Sequence, residues 1–232
     1  MPGPPSYPSA TSSSYLVLPS PTACNFGDPP NVDEDDSYCA INLPFPMTLY
    51  SQSSNTTFAS VNGYISLLTG SVQYQAQPFP DVNLPNNTFA PFFDDLYISG
   101  GQTPMQGIFY QIQGTAVTYE YYVSRAGTQG SIYHFTVTYD SANAGVFSVH
   151  YYATGSASDP HANGAAASVG MQGSKYQDLA AETVVDDFAN AWIVSAHGTE
   201  MATSFSYRTT NITPGTLLSC DSNSNVCTQA QL

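Results

Sequence analysis

The 232-residue chain carries 17 acidic and 3 basic residues, a formal net charge of −14, and only 9% charged residues in all. So few cations cannot neutralise phosphates, which excludes a nucleic-acid partner and argues against anionic membrane surfaces. No apolar run approaches the ~20 residues that a membrane-spanning helix needs.

Hydrophobic residues make up 42% and aromatic residues 13%, with 17 Tyr and 12 Phe. That is enough for a real core, and Tyr, Phe, Val and Thr favour strands. The chain opens on Met1-Pro2-Gly3-Pro4-Pro5 without the apolar run of a signal peptide, and reads as an excised piece of a longer secreted protein with Met1 added. Residues 1–23 are rich in Pro, Ser and Thr and read as a linker or stalk end. Tyr15, Leu16, Val17 and Leu18 interrupt this stretch and can pair as a short edge strand. A single domain is expected over 24–220, followed by a Cys-containing tail over 221–232.

The four cysteines, Cys24, Cys39, Cys220 and Cys227, are even in number and lie near the two ends of the domain. They read as two disulfides of an oxidising compartment. Cys24–Cys39 and Cys220–Cys227 close short loops and are the favoured pairs; cross-pairing of the termini is the alternative. Zinc is disfavoured, because there is no Cys-x-x-Cys spacing and no nearby His. Three sequons, at Asn55, Asn86 and Asn211, each beside a turn signal, support a eukaryotic secretory route.

Between Cys24 and Cys39 lies an acidic knot of Asp28, Asp33, Glu34, Asp35 and Asp36. It reads as a solvated loop or an irregular cation site, since the spacing of an EF-hand is absent. From Ile41 the sequence turns β-rich. Leu43 to Tyr50 suits an edge strand, where Pro44 and Pro46 are tolerated. Asn62-Gly63 marks a tight turn between two strands. Pro78, Pro80 and Pro85 hold a long loop extended.

The stretch Asn87 to Ile98, NTFAPFFDDLYI, then delivers Asp94 and Asp95 directly after an apolar run. Adjacent strand side chains point to opposite faces, so the two acids act together only where the backbone bends. A bent corner tied by calcium, with Asp94 and Asp95 as ligands and Tyr97 beside them, is the expectation for a binding site.

Downstream, Val117, Tyr119, Tyr121 and Val123 alternate with Thr118, Glu120 and Tyr122, and Tyr133, Phe135, Val137 and Tyr139 alternate with His134, Thr136 and Thr138. Val146 to Tyr152 repeats the theme. Strict period-2 patterning with Gly-containing turns at ~8–12 residue spacing predicts an all-β antiparallel sandwich, jelly-roll-like, with long loops. Asp178 to Phe188 is the only helix expected, and a short one; Trp192–Ser195 and Met201–Tyr207 read as closing strands.

Three motifs, Val61-Asn62-Gly63-Tyr64-Ile65, Ala90-Pro91-Phe92-Phe93-Asp94-Asp95-Leu96 and Val169-Gly170-Met171-Gln172, occur in an order that resembles the nidogen-type (NIDO) extracellular domain. Phe93 replaces the commoner Trp without disturbing an aromatic core role. The resemblance implies a non-catalytic module of adhesive or matrix proteins and, with Ser/Thr/Pro flanks and sequons, a fungal wall or surface protein. The expected partner is a cell-surface glycan or protein, and calcium is the one cofactor this reading admits.

An alternative is a secreted carbohydrate-active hydrolase, for which two carboxylates must face each other across a groove. Asp94 or Asp95, Asp140, Glu182, and Asp186 or Asp187 are candidates, and Glu120, mid-strand among tyrosines, is the best catalytic acid. His134 and His150 fall on neighbouring strands; His161 and His197 are isolated. Most tyrosines should be structural, although an aromatic face can also stack on a sugar.

Overall fold

Alternation of large apolar and polar residues dictates two-faced strands that must close over one another, and the computed structural model, which describes residues 15–28, 32–175 and 199–231, has that arrangement. In chain order the strands are β1 (Thr22–Ala23), β2 (Glu34–Asp35), β3 (Tyr38–Leu49), β4 (Gln52–Ser60), β5 (Tyr64–Leu67), β6 (Thr88–Phe93) and β7 (Tyr97–Ile98). They continue with β8 (Gly107–Gln113), β9 (Ala116–Val123), β10 (Tyr133–Asp140), β11 (Val146–Thr154), β12 (Ser168–Lys175), β13 (Thr199–Tyr207), β14 (Thr216–Asp221) and β15 (Val226–Gln231).

One sheet runs β1-β8-β9-β10-β11-β14-β15 and the other β13-β12-β6-β5-β4-β3, while β2 and β7 form a separate ribbon. Every pairing is antiparallel. The fold is an all-β sandwich, as expected. The proline-bearing β3 lies at a sheet edge, where a missing N–H costs no ladder bond. The expected helix at 178–188, the strand at 192–195, His197, Glu182, Asp186 and Asp187 lie outside the described residues.

β1 joins the seven-stranded sheet through Thr22 and Ala23, opposite Tyr110 and Phe109, and β15 pairs with β14 along its full length. The stretches expected as linker end and tail therefore complete a sheet. Disulfides join Cys24 to Cys39 and Cys220 to Cys227, the second across facing positions of β14 and β15.

The core lies between the sheets. Phe89 stacks on Phe147 at 4.6 Å and Tyr121 on Phe135 at 4.6 Å. A buried tyrosine carries a hydroxyl that needs a partner, and here the hydroxyls of one sheet reach the other. Tyr119 meets the Thr57 hydroxyl at 2.7 Å, Tyr121 donates to the Tyr64 carbonyl at 3.2 Å, and Tyr139 accepts from the Thr48 amide at 3.0 Å. Tyr151 donates to the carbonyl of Pro91. Burial pushes the phenols of Tyr119, Tyr121 and Tyr151 far above their ordinary range, so these bridges do not titrate. The tyrosine richness thus has a structural cause.

Gln172, at the end of the third motif, clamps the proline-rich loop. Its Oε1 accepts from the Asp81 amide at 2.7 Å, and its Nε2 donates to the carbonyls of Asp81 and Pro85 at 3.0 and 3.1 Å.

Candidate functional site

The first two motifs form one structural unit. Gly63 sits at φ 76°, and a Cβ there would lie 1.9 Å from the carbonyl oxygen of Phe92, so only glycine permits the approach. The Phe92 amide donates to the Gly63 carbonyl at 3.2 Å. The Asn62 side chain accepts from the Leu96 amide at 3.0 Å and donates to the Asp36 carboxylate at 2.9 Å and the Gln73 carbonyl at 3.2 Å. The chain turns sharply at Asp94 and Asp95: the Leu96 amide also reaches the Asp94 carbonyl at 2.8 Å.

This bend was expected to let Asp94 and Asp95 act together, but the structure sends them to different neighbours. Asp94 is 3% exposed. Its carboxylate accepts from its own chain at the Asp95 amide, 2.9 Å, and meets His161 Nδ1 at 2.9 and 3.0 Å. A carboxylate only accepts, which fixes the proton on Nδ1. Asp95 instead meets the acidic knot. Pairing of β2 with β7 sets Asp35 opposite Tyr97, and Asp35, Asp36 and Asp95 each bring one oxygen within 4.8 Å of the others.

Like charges so close repel. Burial first, then Asp36, Asp35 and Asp94, raises the Asp95 carboxyl above its usual range, with Arg125 opposing. Burial and then Asp36 raise Asp35. Tyr97 lies half-buried beside this group; its hydrogen bond to Asp33, then burial, pushes its phenol up to about 12.

A second, compensated polar group adjoins it. Arg125 Nη1 lies 3.2 Å from Asp159, which also accepts from the Tyr133 hydroxyl at 2.8 Å and the His161 amide at 2.9 Å. Burial disfavours the Asp159 charge, but hydrogen bonds from Ser131, His161 and Tyr133, together with Arg125, outweigh it and lower the carboxyl. The sequence marks Asn62 as a turn and motif residue and leaves His161 isolated, but gives no pattern that singles out Arg125 or Asp159. The only signal of Arg125 and Asp159 is polarity, and the contacts of the site span up to 67 residues of chain.

Glu120 lies on the outer face of the seven-stranded sheet yet is 0% exposed. Tyr15–Leu18 lies across it. The Val17 amide donates to Oε1 at 2.7 Å, the Leu18 amide to Oε2 at 3.0 Å, and His134 Nε2 meets Oε1 at 2.7 Å. The Tyr15 ring packs on Tyr122 at 5.0 Å. Both carboxylate oxygens are engaged, so Glu120 has the surroundings of an anchor. His150 does not join the pair; its ring packs on Tyr152 at 4.1 Å. Asp140 caps a short turn through the Ala142 amide at 3.0 Å. Asn55, Asn86 and Asn211 are all exposed. Among the described residues, no helix is long and apolar enough to cross a membrane.

Neither the comparison with curated proteins nor that with solved structures returned a match. The family model described as NIDO related matches residues 7–214, a span that holds the sandwich from the Glu120 strap to the start of β14, and the chain therefore belongs to the NIDO-related family.

Proposed function

We propose that this NIDO-related domain is a non-catalytic adhesion or ligand-binding module of an extracellular surface or cell-wall protein. In this reading Asp35, Asp36 and Asp95 hold a calcium ion through which a glycan of the partner is bound. The coarser part rests on the family and on two disulfides, which fit an extracellular module.

One observation carries the finer part. Three carboxylates from two distant stretches converge within 4.8 Å, and the carboxyls of Asp35 and Asp95 stay raised, at Asp95 even against the opposing charge of Arg125. A hard divalent cation takes about 6–8 oxygen ligands, so three carboxylates leave positions for water or for sugar hydroxyls. Asp94 supports this site from beneath, because its oxygens are committed to His161 and to the turn. Tyr97 stands at the rim.

The hydrolase alternative loses its best residue: a general acid must reach the substrate, whereas Glu120 lies under the N-terminal strap with both oxygens engaged. The test is calorimetric titration with calcium, followed by glycan-array binding in calcium and in EDTA. Saturable calcium binding that Asp95→Asn abolishes, with glycan binding that EDTA removes, is the expected result. Normal calcium and glycan binding by Asp95→Asn would end the reading.

A further inference from the structure

Behind the ribbon of β2 and β7, facing away from the three-carboxylate cluster, lies a cavity of about 90 Å³. Phe26, Val32, Ile98, Met105 and Phe109 contribute apolar walls, and the lining carries two charged residues, Asp28 and Glu34, both acidic. Successive strand residues point to opposite faces. Glu34 therefore enters this cavity while Asp35 turns to the cluster.

Glu34 is 8% exposed. One of its oxygens accepts from the Ser37 hydroxyl at 2.9 Å, and the other has no hydrogen-bond partner among the described residues. That oxygen is not one of the fully buried atoms left without a partner; it opens on the cavity, where a donor or a cation can meet it. Burial, and to a lesser degree Asp28, pushes its carboxyl up. The three basic residues of the chain, Arg125, Lys175 and Arg208, are absent from the lining.

We propose that this cavity is a receptor for the side chain of a lysine on a partner polypeptide. Lysine matches both features of the site. Its four-carbon stem buries readily along apolar surface while its ammonium remains a compact charge with three donors. The stem packs between Phe26, Met105 and Phe109, and the ammonium meets the open oxygen of Glu34 with Asp28 nearby. The net charge of −14 draws a basic partner to this surface. The proposal is independent of the calcium reading, since it uses the opposite face of β2.

The test is a titration of the full chain with Nα-acetyl-lysine amide in calcium-free buffer, followed by backbone amide chemical shifts. The expected result is saturable shifts at Ile98, Gly100 and Gly101, with affinity reduced about tenfold or more in Glu34→Gln and no binding of the Nε-acetylated compound. Glu34→Gln is isosteric, and its own amide spectrum verifies that the sandwich is intact. Asp95→Asn leaves lysine binding unchanged while removing calcium, so the two sites fail separately. No saturable shift, an unaffected Glu34→Gln, or equal binding of the Nε-acetylated compound would overturn the proposal. Loss of lysine binding in Asp95→Asn would transfer the ligand to the acidic cluster and overturn it equally.

Discussion

Two acidic corners of this molecule differ in what surrounds them. Glu120 is 0% exposed and accepts from two backbone amides and His134. Asp95 is only partly buried, yet faces Asp35 and Asp36 with a raised carboxyl. Burial alone therefore does not mark a functional carboxylate. A buried acid whose oxygens are all engaged by the chain is an anchor, whereas one left facing like charges retains capacity for something outside the chain. Asp94 and Asp159 belong to the first kind and Glu34 to the second.

The largest expected effect breaks the satisfied corner. Glu120→Ala leaves two amides and an imidazole without their acceptor and should cost about 3 kcal/mol. Urea denaturation measures the loss, and amide exchange at Val17 and Leu18 should quicken with it. A cost below about 1 kcal/mol would show that the strap is not anchored there.

Next, His161→Ala removes the donor to Asp94 and should cost about 1–2 kcal/mol. It should also weaken calcium binding, because the turn that carries Asp95 loosens. Unchanged calcium affinity beside lost stability would separate the two roles.

The smallest expected effect has the opposite sign. Without calcium, Asp95→Asn should stabilise the fold by less than about 1 kcal/mol at neutral pH, since the corner is partly solvated and screened. The folded-state carboxyl lies above the ordinary value of 3.8, so the cost of its charge is present in full above the folded pKa. That cost disappears as pH falls below 3.8, the unfolded value. The gain from Asp95→Asn should fade over that window in thermal melts. A mutant that is less stable at neutral pH would show that Asp95 has a partner in the chain after all. Calcium should raise the melting temperature of the native protein and leave that of Asp95→Asn unchanged.

Period-2 patterning by itself determined the two-faced strands of β9, β10 and β11 and which residues face the core: Val117, Tyr119, Tyr121, Val123, Tyr133, Phe135, Val137 and Tyr139 are all buried. Side-chain alternation is a local property of an extended chain, so the pattern is written in neighbouring residues. The Asn62-Gly63 turn and the bend at Asp94 and Asp95 were legible for the same reason.

Tertiary structure alone decided the fate of each carboxylate. The strap that buries Glu120 lies more than 100 residues from it in sequence, His161 lies 67 residues from Asp94, and Asp35 and Asp36 reach Asp95 only because β2 pairs with β7. Alternation assigned Glu120 to the outer face correctly but could not show that the same chain covers it. Whether an acid is satisfied depends on the few ångströms around its oxygens, and those are filled by whichever distant segments the packing of two sheets brings there.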